Sequence, residues 1–435
     1  MKYFRLSFLL IFAAGVKAAY AAAPDAASAI NKGDTAWLLI STALVMLMTP
    51  GLALFYGGMV RRKNVLGTIM QSFIALGVVS IVWILWGYSL AFGPDVGHFI
   101  GNLKWFGLNG VGLAPDPDYA PTVPHQAFMI FQMMFAVITP ALITGAFAER
   151  FKFKTYLIFI VLWSTFVYAP IAHWVWGVGG WIRNLGALDF AGGLVVHISS
   201  GVSALVASIM IGKRRIHYDE LSKPNNLTMT LTGAALLWFG WFGFNAGSSL
   251  ASGSLAVSAF VVTHIAAAAA TISWMLTEWI HRGEPTVLGA ASGAVAGLVA
   301  ITPASGFVGP MAALIIGLGV GALCYFAVGF KSKLGYDDSL DAVGVHGVGG
   351  TFGALMTGLF ASTAINPAGR NGLFFGNPMQ FVIQAVSVIA AIAYSFVVSW
   401  AILKILDKIM GLRVDPDDEI EGLDLSQHGE SGYSF

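Results

Sequence analysis

The chain has 435 residues, 57% of them hydrophobic and only 10% charged, with a formal net charge of +1. Soluble domains carry roughly 25% charged residues, and repeated runs of about 20 apolar residues read as membrane spans. A soluble enzyme core is therefore excluded, the lipid bilayer is the expected solvent, and the near-zero net charge leaves no footprint for nucleic acid.

Lys2 and Arg5 precede the apolar run LSFLLIFAAGV and an Ala19-Tyr20-Ala21 cleavage pattern. This reads as a secretory signal peptide over residues 1–21, and its removal would leave the mature N-terminus outside the cytoplasmic membrane. Apolar runs then predict eleven helical spans within residues 22–410, centred near Met48, Val79, Val137, Val161, Val202, Leu237, Ala267, Gly297, Gly319, Gly353 and Ala391. Tracing inward from an outside N-terminus puts 16 of the 23 lysines and arginines on the inner face; three fall in the signal peptide. That bias predicts an outside N-terminus and a cytoplasmic C-terminal tail at 411–435 in the inner membrane.

Within span one, Pro50 predicts a kink whose freed carbonyl is satisfied locally. Span three begins with Phe128, Phe131 and Gln132, with Phe135 one turn below Phe131. Trp174, Trp176 and Trp181 follow span four, and span six ends in WFGWFGFNAGSS, with Phe244 one turn below Ser248. An interfacial aromatic belt explains some of these rings. The i, i+4 pairs point instead to inward stripes, and aromatic faces beside a hydroxyl suit a small cation.

The most informative stretch is Asp189–Gly201, DFAGGLVVHISSG, which shares the pattern D-x6-V-H-x3-G with DSLDAVGVHGVGG at Asp338–Gly350. Ionisable groups inside spans are costly and mark function by default. Eleven spans divide into five, five and one, and five per repeat force the second repeat to enter from the opposite face. His197 and His346 then each lie about 12 Å deep at 1.5 Å per residue, from opposite faces of a core about 30 Å thick. The two imidazoles are expected to meet near the midplane.

Such a pair is open to metal ligation, haem ligation or lining a pore for a small polar solute. No Cys, His or Glu cluster nearby supplies further metal ligands, and the Gly, Val and Ala neighbours suit a narrow passage better than a haem pocket. His264 has no symmetry partner and reads as a packing or interface residue. Gly289, Gly293 and Gly297 predict close approach of span eight to a neighbour, and the sole cysteine, Cys324, reads as a small core residue.

The chain resembles the Amt/Mep/Rh family of ammonium transporters. The resemblance rests on MTPGLALFYGGMV (Met48–Val60), GAFAERFKF (Gly145–Phe153), DFAGGLVVHISSG, GWFGFNAGS (Gly240–Ser248), GVHGVGG (Gly344–Gly350) and EGLDLSQHGE (Glu421–Glu430), and covers nearly all of the mature chain. It implies an all-α membrane protein with eleven transmembrane helices, an inverted 5+5 repeat plus one helix, and a pore within each subunit of a homotrimer. It also implies an outer ammonium-recruiting site at Trp176, Phe131 and Ser248, with Trp174 the alternative tryptophan. Phe135 and Phe244 would form a pore gate, His197 and His346 would line the pore, and Asp189 would support the site. The mechanism implied is recruitment of ammonium, deprotonation and passage of ammonia, with no enzyme activity, cofactor or metal. The route of the released proton stays open. The tail resembles the family's regulatory segment, which in many bacteria meets a PII-type signal protein. A sensor role through such a partner is the alternative, and a histidine-based membrane metal or redox protein a further one.

Overall fold

Ten helices among the described residues are long and apolar enough to cross a membrane. The computed structural model describes residues 29–215 and 224–433. The expected signal peptide lies outside the described residues, as does residue stretch 216–223. In chain order the long helices are α1 (Lys32–Met59), α2 (Arg62–Phe92), α3 (His125–Phe147), α4 (Phe153–Leu185), α5 (Gly193–Ile211), α6 (Leu227–Gly247) and α7 (Ser254–Arg282). After the shorter apolar α8 (Val287–Ile301) come α9 (Pro310–Leu334), α10 (Val343–Phe360) and α11 (Pro378–Met410). The protein is thus an all-helical, multi-pass membrane protein.

The eighth predicted span is where structure and periodicity differ. Fifteen residues at 1.5 Å each rise about 22 Å, short of a hydrocarbon core of about 30 Å. Beyond Ile301 the chain leaves the helix, yet Thr302, Ala304, Ser305 and Val308 are fully buried. Irregular backbone at membrane depth is tolerated where protein rather than lipid surrounds it.

Small residues set the packing. α1 lies along α6, and a Cβ at Gly233 would stand 2.2 Å from the Phe55 nitrogen. The predicted four-residue glycine stripe of α8 meets α7: a Cβ at Gly293 would fall 2.7 Å from the Trp274 Cβ, and one at Gly297 2.5 Å from the Ala266 carbonyl oxygen. Where lipid tails are as apolar as the helices, such close backbone approach supplies the van der Waals attraction that joins them. α3 is buried along nearly its whole length and forms the middle of the bundle. Pro50 sits inside α1 without ending it. Cys324 is buried, and His264 packs on Trp238 at 5.4 Å.

The two ends differ. At one, the aromatic end, the α2–α3 connection forms two hairpins, β1 (Asp95–Val96) with β2 (Ile100–Gly101) and β3 (Pro115–Asp116) with β4 (Ala120–Pro124). At the other, the tail end, Glu149 occupies the left-handed region with φ 75° and is buried. Its carboxylate accepts from Arg61 Nε at 3.0 Å, Asn64 Nδ2 at 2.9 Å and Arg214 Nη1 at 2.9 Å, and Arg214 continues to Asp337. Burial raises this carboxyl, but the charges of Arg214 and Arg61 outweigh it and hold Glu149 below the usual carboxylate range. The tail folds over this cluster as α12 (Pro416–Glu421) and α13 (Leu423–His428). Glu419 is fully buried against Arg413, and Asp424 Oδ1 accepts from the Gly67 amide at 2.8 Å.

Candidate functional site

The two D-x6-V-H-x3-G stretches fold alike. Each begins with an aspartate, enters a π-helical turn that carries the histidine (Gly193–Ile198 and Val343–Val348), and continues as α-helix. Asp189 Oδ1 accepts from the amides of Gly192 and Gly193 at 2.9 and 2.6 Å, and Oδ2 from Leu194 and Val195 at 2.7 and 3.3 Å. Asp338 accepts from Ala342 at 3.1 Å and Val343 at 2.7 Å. A helix start leaves its first amides without partners, and a carboxylate there satisfies them and complements the helix dipole. Both aspartates are therefore caps, and their spacing to histidine fixes where each ring stands. Burial pushes the Asp338 carboxyl up to about 6, with the Lys331 charge opposing it.

The closing glycines of the motif explain the crossing. A Cβ at Gly201 would lie 2.2 Å from the Gly347 nitrogen, and one at Gly350 2.8 Å from the His197 Cβ. Only glycine permits the two half-helices to touch at these points, and that contact brings the histidines together. Their rings lie 5.4 Å apart, tilted by 18°, with Nδ1 to Nδ1 at 3.3 Å. Of two facing nitrogens one donates and one accepts. Thr302 assigns the roles: its hydroxyl hydrogen goes to the Leu298 carbonyl at 2.7 Å, so its lone pairs accept from Trp241 Nε1 at 2.9 Å and, at a long 3.4 Å, from His197 Nε2. His197 then donates from Nε2 and accepts at Nδ1, His346 donates from Nδ1, and His346 Nε2 is left as an acceptor.

A cavity of about 10 Å³ runs beside the pair, with Leu52, Ile138, Leu142, Trp241 and Phe244 among its walls. It has room for about one water-sized solute, and its only polar wall groups are imidazoles and an indole. Above it Phe244 meets Phe135 at 4.3 Å between ring centres. Phe135 in turn lines a vestibule of about 220 Å³ together with Trp176, Ser248, Gln132 and Phe128. The two rings thus separate a roomy chamber from a narrow passage.

In the vestibule Trp176 stands perpendicular to Phe135 at 6.0 Å, and its indole Nε1 donates to the Asp189 carbonyl at 2.9 Å. Ser248 donates to the Phe244 carbonyl at 2.8 Å, leaving its lone pairs to accept from a guest. Phe131 is fully buried and meets Phe135 edge-on at 4.9 Å, so it backs the aromatic wall without lining the chamber. Trp174 turns away: its Nε1 bonds the Phe99 carbonyl and its ring packs on Tyr394. Asp189 lines neither cavity.

Sequence reasoning missed two residues. Trp241 stacks on His197 at 5.5 Å, and Thr302 holds both. Trp241 lies three residues before Phe244, so the helical repeat could have found it. Thr302 sits in the irregular turn after α8, where no periodicity operates.

A model of the Ammonium Transporter Family matches residues 36–433. The chain belongs to this family. It is 55% identical over 405 residues to an ammonium transporter of Bacillus subtilis, covering 93% of this chain and 99% of that one. The crystal structure of Candida albicans Mep2 is similar with a TM-score of 0.86 at 38% identity, over 94% of this chain and 92% of Mep2. A solved Sensor Amt Protein is similar with a TM-score of 0.83 at 31% identity, over 91% and 98%. Family membership supports ammonium transport as the function. Among the described residues no group of three or more His, Cys, Asp or Glu is placed to hold a metal ion.

Proposed function

We propose that this ammonium transporter recruits ammonium in the vestibule, removes a proton, and conducts ammonia past His197 and His346. The observation that carries the reading is the sequence of chambers: an aromatic vestibule of about 220 Å³, two phenylalanine rings in tilted contact, and a mostly apolar cavity of about 10 Å³. A cation gains from the Trp176 face and from the Ser248 lone pairs, with Phe131 stiffening the wall behind Phe135. Below Phe135 and Phe244 no carboxylate lines the passage, and a bare cation there loses several kcal/mol of hydration. Ammonium escapes that cost by leaving its proton on vestibule water, giving ammonia and hydronium; potassium has none to leave. Ammonia, one acceptor and three donors, then meets the free Nε2 of His346. Asp189 holds the Trp176 indole and the start of α5, and so supports the site without touching the solute.

The same reading takes α8 with its buried turn as an eleventh crossing and the two capped half-helices as halves of an inverted 5+5 repeat with α11 added. The vestibule faces outward across the inner membrane and the tail lies in the cytoplasm, where it offers a surface to a PII-type partner. Subunits assemble as a homotrimer with a pore in each. The likeness to a Sensor Amt Protein supports a second reading, sensing through that tail.

Replacing His346 with alanine in reconstituted protein tests the pore. The account expects altered methylammonium flux or selectivity in a protein that still assembles. Wild-type kinetics in both His197→Ala and His346→Ala would remove the histidines from the pathway.

A further inference from the structure

One hydrogen-bonded cluster at the aromatic end, running from buried His173 through half-buried Asp95 to exposed His98, has no part in the steps above. His173 sits three residues before Trp176 on α4 and is fully buried. Its Nδ1 lies 3.0 Å from the Ala91 carbonyl, and its Nε2 lies 2.9 Å from Asp95 Oδ1. The ring therefore stands between two acceptors, and His173 ties the end of α4 to the end of α2 and to β1. The second oxygen of Asp95 accepts from the His98 amide at 3.1 Å. The His98 ring then donates to the Gly179 carbonyl at 2.7 Å, and the His98 carbonyl accepts from Trp181 N at 3.3 Å.

Between these bonds lies the turn 177–180, which follows Trp176 directly. It is built around the clamp. Gly179 has φ 94°, and a Cβ on it would stand 2.5 Å from the Asp95 Cβ; one on Gly180 would stand 2.0 Å from the His173 carbonyl oxygen. The indole of Trp176 is held by the Asp189 carbonyl, and its backbone carbonyl accepts from Arg183 Nη1 at 2.6 Å. Arg183 itself stands on the far side of the same turn. The pose of Trp176 therefore depends on where the turn is fixed, and Asp95 helps fix it through His173, His98 and Gly179. It does so alongside Tyr119, whose hydroxyl accepts from Val178 N at 3.0 Å, and Asn184, which donates to the Gly179 carbonyl at 2.9 Å.

We propose that Asp95 is a positioning residue for cation recruitment, setting the pose of Trp176 over the vestibule through His173 and the 177–180 turn. It rests on the reading of Trp176 as the recruiting ring. Asp95 touches no solute, so its loss acts on apparent affinity and leaves the passage beyond Phe135 unaltered.

The test is methylammonium uptake by the full-length protein in proteoliposomes, with KM and maximal rate measured separately. Asp95→Ala should raise KM roughly fivefold, the size of one lost hydrogen bond, with little change in maximal rate. Asp95→Asn keeps an acceptor for His173 but sets a donor against the His98 amide, so it should give a KM between those of wild type and Asp95→Ala. Trp176→Leu should raise KM by itself, and adding Asp95→Ala to it should raise KM no further, since the two act as one unit. If Asp95→Ala does not assemble, His98→Ala removes the exposed ring with its Nδ1 contacts to the Gly179 carbonyl at 2.7 Å and to Asp95 Oδ2 at 3.2 Å, and should raise KM about twofold. A raised KM for Trp176→Leu with an unchanged KM for Asp95→Ala, or for His98→Ala in its place, overturns the positioning role alone. An unchanged KM for Trp176→Leu overturns the recruiting ring itself, and the positioning role with it.

Discussion

Asp189 shows how much one side chain decides. Its two oxygens hold four amides at the start of α5, and its own carbonyl holds the Trp176 indole. Asp189→Asn turns one acceptor into a donor facing amide hydrogens, so two of the four bonds become repulsive. We expect this variant to melt several degrees lower in detergent and to lose most ammonium uptake; an unchanged melting midpoint would contradict the capping role. Thr302 is the parallel case for the histidine pair. Thr302→Val removes the acceptor for Trp241 Nε1 and strands a buried indole donor, at a cost of about 1–3 kcal/mol. A thermal scan of the purified variant checks this, and a wild-type midpoint would mean that the Trp241–Thr302 bond carries no stability. Aspartate and histidine were legible in the bare sequence because charge inside an apolar run is conspicuous. Thr302 was not, because a threonine in a turn looks the same whether or not it organises anything.

At the scale of elements, the repeated spacing D-x6-V-H-x3-G has a physical account. The aspartate caps the half-helix, the histidine lies beyond the first turns, and the glycine permits the crossing. The periodicity foresaw that the rings would meet; it did not foresee the π-helical turns, since their hydrogen-bond shift leaves no mark in residue types. It also set eleven spans of similar standing, whereas α8 is short, and its buried trailing turn is satisfied by short-range bonds, Thr302 N to the Val299 carbonyl at 3.2 Å and Ala304 N to the Ile301 carbonyl at 3.0 Å. Gly201→Ala should prevent the half-helices from touching and abolish assembled protein, measured as loss of the monodisperse species on size exclusion. The tail-end cluster gives a pH prediction. Glu149 sits below its ordinary value of about 4.3, so its stabilising effect is fully present above that pH and is lost as pH falls through the lower, folded value. The thermal midpoint should drop on acidification below about pH 4. Glu149→Gln, which takes the carboxylate away from Arg61 while Arg214 keeps Asp337, should lower the midpoint at neutral pH and flatten the acid loss. A neutral-pH midpoint matching wild type would show that the cluster does not hold the tail end together.

For the whole molecule, the gradient of environment along one axis is the organising fact. An aromatic chamber of about 220 Å³ gives way, across two phenylalanine rings, to a cavity of about 10 Å³ beside the two histidines. The bundle's small residues let its helices pack closely, and at the tail end Asp424 binds the Gly67 amide. The central claim is that solute passes as ammonia. The most direct measurement is flux in proteoliposomes under matched ammonium and potassium gradients, read as current and luminal pH. The account predicts a protein-dependent response to ammonium and none to potassium at the same concentration. A potassium response equal to that of ammonium would contradict it, since potassium has no proton to leave behind.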